Sequence, residues 1–121
     1  MARHPTHSET RINLAVTLIQ LSRFDEAIGH LRTVVGQDPG NAMALTNLGS
    51  ALLDTGHPEE AVEHLRRAAE LKPDITQPRV GLVKTYLALG KTESAREQLE
   101  VLKVLDPAAA EQMSLAFASM W

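Results

Sequence analysis

The sequence predicts an all-α protein, a solenoid of stacked antiparallel helix pairs. Three observations carry this. Sliding the chain against itself by 34 residues brings Leu14 onto Leu48 and Leu82, Ala27 onto Ala61 and Ala95, Leu31 onto Leu65 and Leu99, and Pro39 onto Pro73 and Pro107. A fixed period of that size marks supersecondary units, each too small to bury its own apolar face. Within a unit the apolar spacing is helical: Leu45, Leu48, Gly49 and Leu52 fall at i, i+3, i+4 and i+7, and Ala61, Leu65 and Ala68 repeat the pattern. The alternation expected of strands is lacking, and Ala, Leu, Glu, Arg and Gln dominate.

Residues 1–7 read as an N-terminal tail, followed by units at 8–41, 42–75 and 76–109. The same grammar is written three times, as LIQLSRFDEAIGHLRTVVGQDPG, LLDTGHPEEAVEHLRRAAELKPD and YLALGKTESAREQLEVLKVLDPA. Each is the end of one helix, a turn, a second helix and a proline stop. The middle unit has the clearest punctuation. Asn41 is suited to cap the helix that follows it, because its side chain accepts an orphan backbone N–H. Gly56 falls where a helix ends in left-handed backbone. Pro58 sits in the first turn of the next helix, where its missing N–H costs nothing, and Glu59 and Glu60 complement the dipole there. Gly49 and Ala61 mark the closest approach of the paired helices, where a larger side chain would overpack by roughly 1–3 kcal/mol.

The last stretch, AAAEQMSLAFASMW, continues the register: Met113, Ala116, Phe117 and Met120 fall where Leu45, Leu48, Gly49 and Leu52 fall in the second unit. Residues 110–121 therefore read as a capping helix over the third unit. Leu115, Phe117, Met120 and Trp121 are too many apolar residues for one buried stripe. Phe117, Met120 and Trp121 are accordingly candidates for self-association, since leftover apolar surface marks contacts. Inward packing and truncation of a longer array explain the same residues.

Bulk properties narrow the functional class. A chain of 121 residues is one domain, and a hydrophobic content of 44% with only 3% aromatics means a core of small aliphatic side chains. The net charge of −3 offers no basic face for nucleic acid. Cysteine is absent, which removes disulfides and thiolate metal sites. The N-terminal MARHPTHSETR lacks the apolar core of a signal peptide, and no apolar run reaches the roughly 18–20 residues of a membrane span. The expected compartment is the cytoplasm.

No catalytic constellation emerges, so the expectation is a protein without enzymatic activity, cofactor or metal. His4 and His7 lie in the tail, and the histidines read as solvated surface residues. His30 and His64 occupy equivalent places in neighbouring units, about one helix spacing of 8–10 Å apart, too far for a shared metal. The pairs Glu59–Glu60 and Glu93–Glu97 are accounted for by helix dipoles and solvation. Gly36 and Gly40 do not form a phosphate loop. Arg32, Arg66 and Arg67 are interspersed with Glu63, Glu70, Glu97 and Glu100, a mixed solvated face.

Helix pairs of 34 residues with this small–large–small pattern and a terminal proline resemble tetratricopeptide repeats. The middle unit carries the resemblance best, through Leu48, Gly49, Ala61, Ala68 and Pro73. Departures lie around it: Arg11, Leu45 and Arg79 replace an early aromatic, only Tyr86 keeps the tyrosine that is Leu18 and Leu52 elsewhere, and Ala15 and Val83 replace a glycine. The resemblance implies a right-handed superhelix whose first helices line a concave wall. That wall would comprise Ile12, Asn13, Val16, Ile19 and Gln20, then Met43, Thr46, Asn47, Ser50, Leu53 and Asp54, then Gln77, Val80, Gly81, Lys84 and Leu87. It implies a protein-binding module, an adaptor or assembly component that holds a peptide or helix of a partner. Asn13 and Asn47 would grip a partner backbone, because a carboxamide both donates and accepts. A hydrogen bond to the neighbouring unit's loop is the competing reading of both. Lys84 would meet an acidic group. The clamp by which chaperone-binding members hold a C-terminal carboxylate corresponds here to Ile12, Val16, Asn47, Gln77 and Gly81, and only Asn47 matches. The alternatives are a self-assembling structural module and a regulatory repeat domain of a larger protein.

Overall fold

Each unit folds as a hairpin of two helices because one residue between them takes left-handed backbone. Ser22, Gly56 and Gly90, equivalent by the period, have φ of 61°, 86° and 74°. At each turn an N–H reaches back five residues: Arg23 to the Leu18 carbonyl, His57 to Leu52 and Lys91 to Tyr86, all at 2.8 Å. This is the Schellman arrangement, which satisfies carbonyls that a helix end otherwise orphans.

The computed structural model describes the chain from residue 5 to residue 119, with side chains from residue 7 to residue 115. Among the described residues it consists of helices and turns, with no strand. The helices are α1 (Pro5–Gln20), α2 (Phe24–Gln37), α3 (Ala42–Asp54), α4 (Pro58–Leu71), α5 (Thr76–Ala88), α6 (Thr92–Leu105) and α7 (Pro107–Ser119). Each packs on the next. The first helices α1, α3, α5 and α7 also approach one another in sequence, whereas no Cα of α2 lies within 8 Å of α4, nor of α4 within 8 Å of α6. Close spacing on one side and wide spacing on the other bends the stack toward the first helices. That bend makes their outward faces the inner wall.

The small residues sit where the period placed them. A Cβ on Gly49 would lie 2.5 Å from Leu65 Cγ and 3.3 Å from the Ala61 carbonyl oxygen, so α3 and α4 touch there through backbone. Leu65 is fully buried, held between Gly49 of α3 and Gly81 of α5, where an added Cβ would meet it at 3.0 Å. A continuous apolar cluster runs from Ile12 to Leu82, and a second joins Val83, Ala95, Leu99, Leu102 and Ala110. Tyr86 packs against both.

Both ends depart from the expected boundaries. Helix α1 begins at Pro5, so residues 5–7, expected in the tail, are helical. Helix α7 begins at Pro107, ahead of the expected 110. Asp106 explains this: its side chain accepts the Ala109 N–H at 3.1 Å, its own N–H donates to the Leu102 carbonyl, and Pro107 follows in the first turn. The linker between α6 and α7 is thus one residue, where the earlier pairs use four. Of the residues expected to associate, Met120 and Trp121 and the side chain of Phe117 lie outside the described residues. Leu115 is 67% exposed.

Candidate functional site

Residues that repeat every 34 positions stand side by side on the inner wall, because the first helices adjoin. Between α3 and α5 this produces two cavities that join. One, of about 250 Å³, is lined by Ala42, Met43, Thr46, Asn47, Ser50, Ile75 and Gln77. The other, of about 120 Å³, is lined by Ser50, Leu53, Asp54, Gln77, Val80, Gly81 and Lys84. Ser50 and Gln77 belong to both, so they form one furrow running from an apolar mouth at Met43 and Ile75 to a charged end at Asp54 and Lys84.

Several polar groups on the inner wall are unengaged among the described residues. Among the described residues, nothing hydrogen-bonds to the carboxamide of Asn13 or Asn47, and no ion pair joins Asp54 to Lys84. The competing reading of the asparagines, a bond to a neighbouring loop, therefore has no support: the loop-side role belongs to Asn41, whose side chain accepts the Ala44 N–H at 3.0 Å. Thr46 and Thr85 spend their hydroxyls on the Ala42 and Gly81 carbonyls one turn back, both at 2.7 Å. Met43, an apolar side chain 63% exposed at the furrow mouth, is the kind of surface that a ligand covers.

The first unit is less generous. Asn13 and Gln20 are exposed, and Val16 and Ile19 are half-buried and packed against the core. Ile12 is a correction: it is 2% exposed and belongs to the core cluster. It lies three residues before fully buried Ala15, on the stripe that faces the interior, so its side chain is unavailable to a ligand. Leu53 and Leu87 are half-buried against the two clusters, with partial access to the wall. Ile75 was missed. It stands where Asn41 stands one unit earlier, and an apolar residue in a capping position was the available signal.

The outer helices carry the charge. Arg32 Nη1 on α2 donates to Glu60 Oε2 on α4 at 2.7 Å, and His64 Nε2 lies 3.6 Å from the same oxygen. The Arg32 hydrogen bond holds the Glu60 carboxyl below its ordinary value against a small desolvation, and the carboxylate raises Arg32 in return. A second cleft on α4, of about 380 Å³, is lined only by Glu63, His64, Arg66, Arg67 and Glu70, the mixed face that the sequence indicated. Among the described residues no three His, Asp or Glu side chains gather as a metal site, and no helix is long and apolar enough to cross a membrane.

Two family models, both described as tetratricopeptide repeat, match residues 12–74 and 52–116. Comparison with curated proteins gives no match. Among solved structures, the first TPR of Spaghetti (RPAP3) bound to the HSP90 peptide SRMEEVD is 23% identical, with a TM-score of 0.82 over 92% of this chain and 93% of that one. The second TPR of the same protein, bound to the same peptide, is 19% identical, with a TM-score of 0.78 over 82% of this chain and 92% of that one. The crystal structure of MamA is 26% identical, with a TM-score of 0.83 over 96% of this chain and 70% of that one. At these identities the two peptide complexes establish the shared fold.

Proposed function

Since this chain belongs to the tetratricopeptide repeat family, we propose that it is a protein-interaction module whose inner wall holds an extended segment of a partner. The observation that carries this is the furrow between α3 and α5, where an unengaged carboxamide, Asn47, stands beside an apolar cavity opened by Met43 and Ile75. An aliphatic side chain of the partner enters that cavity while Asn47, with Asn13 one repeat away, bonds its backbone. The charged end adds selectivity through Asp54 and Lys84.

The peptide held by the two RPAP3 domains ends in acidic residues and a carboxylate. Here the positions of a carboxylate clamp hold Ile12, Val16, Gln77 and Gly81 beside Asn47, with Ile12 buried. The segment proposed for this chain is therefore mainly apolar, with at most one acid to meet Lys84. A groove this short holds a flexible segment at micromolar strength, about −8 kcal/mol, after ordering costs.

The test is selection of peptides from a displayed random library on the intact protein, followed by calorimetry. Selected peptides should share an aliphatic anchor. The double substitution Asn13→Ala with Asn47→Ala should weaken them at least about tenfold while the melting temperature barely moves. Peptides that bind the double variant as well as the parent, or a variant that melts early, would remove the asparagines from this role.

A second reading, self-association through α7, is favoured by the exposed apolar side chains at this end of the chain, Leu115 of α7 at 67% and Val104 of α6 at 83%. Light scattering at high concentration, with Leu115→Asp as the comparison, separates it from the first.

A further inference from the structure

The first hairpin exposes a surface that the other two bury. Leu14, Leu48 and Leu82 are equivalent by the 34-residue period, yet Leu14 is 45% exposed while Leu48 and Leu82 are each 1% exposed. The difference lies in what rests against them. Leu48 shares a buried cluster with Leu31 and Val34 of α2, and Leu82 shares it with Leu65 and Ala69 of α4. In each case the second helix of one hairpin covers the flank of the next first helix. Among the described residues, no helix lies on that flank of α1. Leu21, in the turn that follows α1, is 61% exposed.

The open flank forms a cleft of about 440 Å³ lined by His7, Thr10, Arg11, Leu14, His30 and Gln37. Its counterpart in the third hairpin shows what fills such a cleft. There Arg79, Leu82 and Gln98 stand where Arg11, Leu14 and His30 stand, and the Arg79–Gln98 hydrogen bond of 2.9 Å repeats the Arg11–His30 bond of 3.1 Å. The remaining walls are Arg66, Ala69 and Glu70 from the end of α4 and Pro73 from the loop that follows it, and the cleft has shrunk to about 200 Å³. The third-hairpin cleft is the first-hairpin cleft with a helix seated in it. Charge adds to the comparison: the open lining holds an arginine and two histidines and no carboxylate, and the filled one gains a carboxylate, Glu70, together with Arg66.

We infer that the flank of α1 around Leu14 is a docking surface for an amphipathic helix of a partner protein, seated as α4 is seated on α5, with small or aliphatic side chains over Leu14 and Leu21 and a carboxylate beside Arg11. This surface is distinct from the inner wall, and its occupancy extends the array by one helix.

The probe is a synthetic peptide with the sequence of residues 58–73, the helix that already plays this part beside α5, titrated into the isotopically labelled intact protein. A helix this short is marginal alone in water, so binding on the order of 0.1–1 mM is expected. Saturable amide shifts should centre on Leu14, Leu21 and His30. Leu14→Asp should weaken binding at least about tenfold, and Glu70→Lys in the peptide at least about threefold, while Asn47→Ala changes neither. Because Leu14 is exposed, Leu14→Asp should leave the melting temperature in place; should it fall, Leu21→Asp serves instead. Absence of saturable shifts, shifts on the inner wall, or an affinity indifferent to Leu14→Asp and Leu21→Asp overturns the inference. A dimer by light scattering that Leu14→Asp converts to monomer overturns it too, because the occupant is then a second copy of this chain.

Discussion

Ser22 holds φ 61° where the two later hairpins place Gly56 and Gly90. A residue with a Cβ pays steric strain in that region that glycine escapes. Ser22→Gly should therefore stabilise the protein by about 0.5–1 kcal/mol, less than the full strain because glycine also loosens the unfolded chain. Thermal or urea unfolding checks this, and a lowered midpoint would show that the serine is held there by something other than tolerance. Gly49 is the opposite case. Its Cα faces Leu65 at a distance that leaves no room for a Cβ, and that requirement was legible because Gly49 and Ala61 are both small where the paired helices meet. Ile12 was not legible. Periodicity gives a residue's angle around its helix, and Thr46 and Val80 in the same register are half-exposed while Ile12 is buried. Depth depends on where the neighbouring helices lie, which the angle does not contain.

At the scale of helices, the caps divide stability from function. Asn41 caps α3 through the Ala44 N–H, whereas Ile75, its counterpart before α5, caps nothing and lines the furrow mouth instead. Ile75→Asn should restore the missing cap and raise stability by about 0.5–1 kcal/mol. The same change removes an apolar wall from the larger cavity, so affinity for an aliphatic peptide anchor should fall severalfold. Denaturation and calorimetry on one variant read both; a gain in stability with no loss of binding would place the anchor elsewhere. The hairpins and their turns were readable from Gly56, Pro58 and Asn41 because each imposes its own backbone geometry. The start of α7 was not readable from the period, since Pro107 aligns with Pro39 and Pro73 yet opens a helix where they lie in loops. Asp106 serves both as the C-cap of one helix and the N-cap of the next, and that dual use shortens the linker without disturbing the sequence register.

Across the whole molecule, second helices are held together differently from first helices. The inner wall is joined by backbone proximity, the outer by long side chains, of which Arg32–Glu60 is the clearest. Both partners are more than a third exposed, so the pair contributes no more than about 1 kcal/mol. Glu60 titrates lower folded than unfolded, so this contribution is complete at neutral pH, begins to decline as pH falls into the unfolded carboxylate's range, and is lost once pH passes below the folded value. Glu60→Gln should accordingly cost a fraction of a kcal/mol at pH 7 and little in acid below both values. A penalty that persists there would assign Glu60 a packing role. The inner wall was legible as a face because equivalent residues recur on it; its cavities were not, because they depend on the loop residue Ile75 and on the gap between two helices. The core holds three buried clusters, a small one of Ala42, Leu45 and Ala68 and two larger ones that meet on α5. Leu82 belongs to the cluster reaching back to Ile12, and Val83, the next residue, to the cluster reaching forward to Ala110. Helix α5 carries both, and Tyr86 is the side chain packed on both. In a quasi-one-dimensional array the coupling between neighbours decides whether parts unfold together. The smaller forward cluster should open first, so amides of α6 and α7 should exchange at lower free energy than those of α3 and α4. Tyr86→Ala removes the shared side chain and should widen that difference by about 1–2 kcal/mol, in line with large-to-small losses at a half-buried site. Native-state hydrogen exchange across a denaturant series reads both quantities. Uniform opening of all helices in the parent, or equal loss on both sides of α5 in the variant, would mean that the two clusters behave as one core.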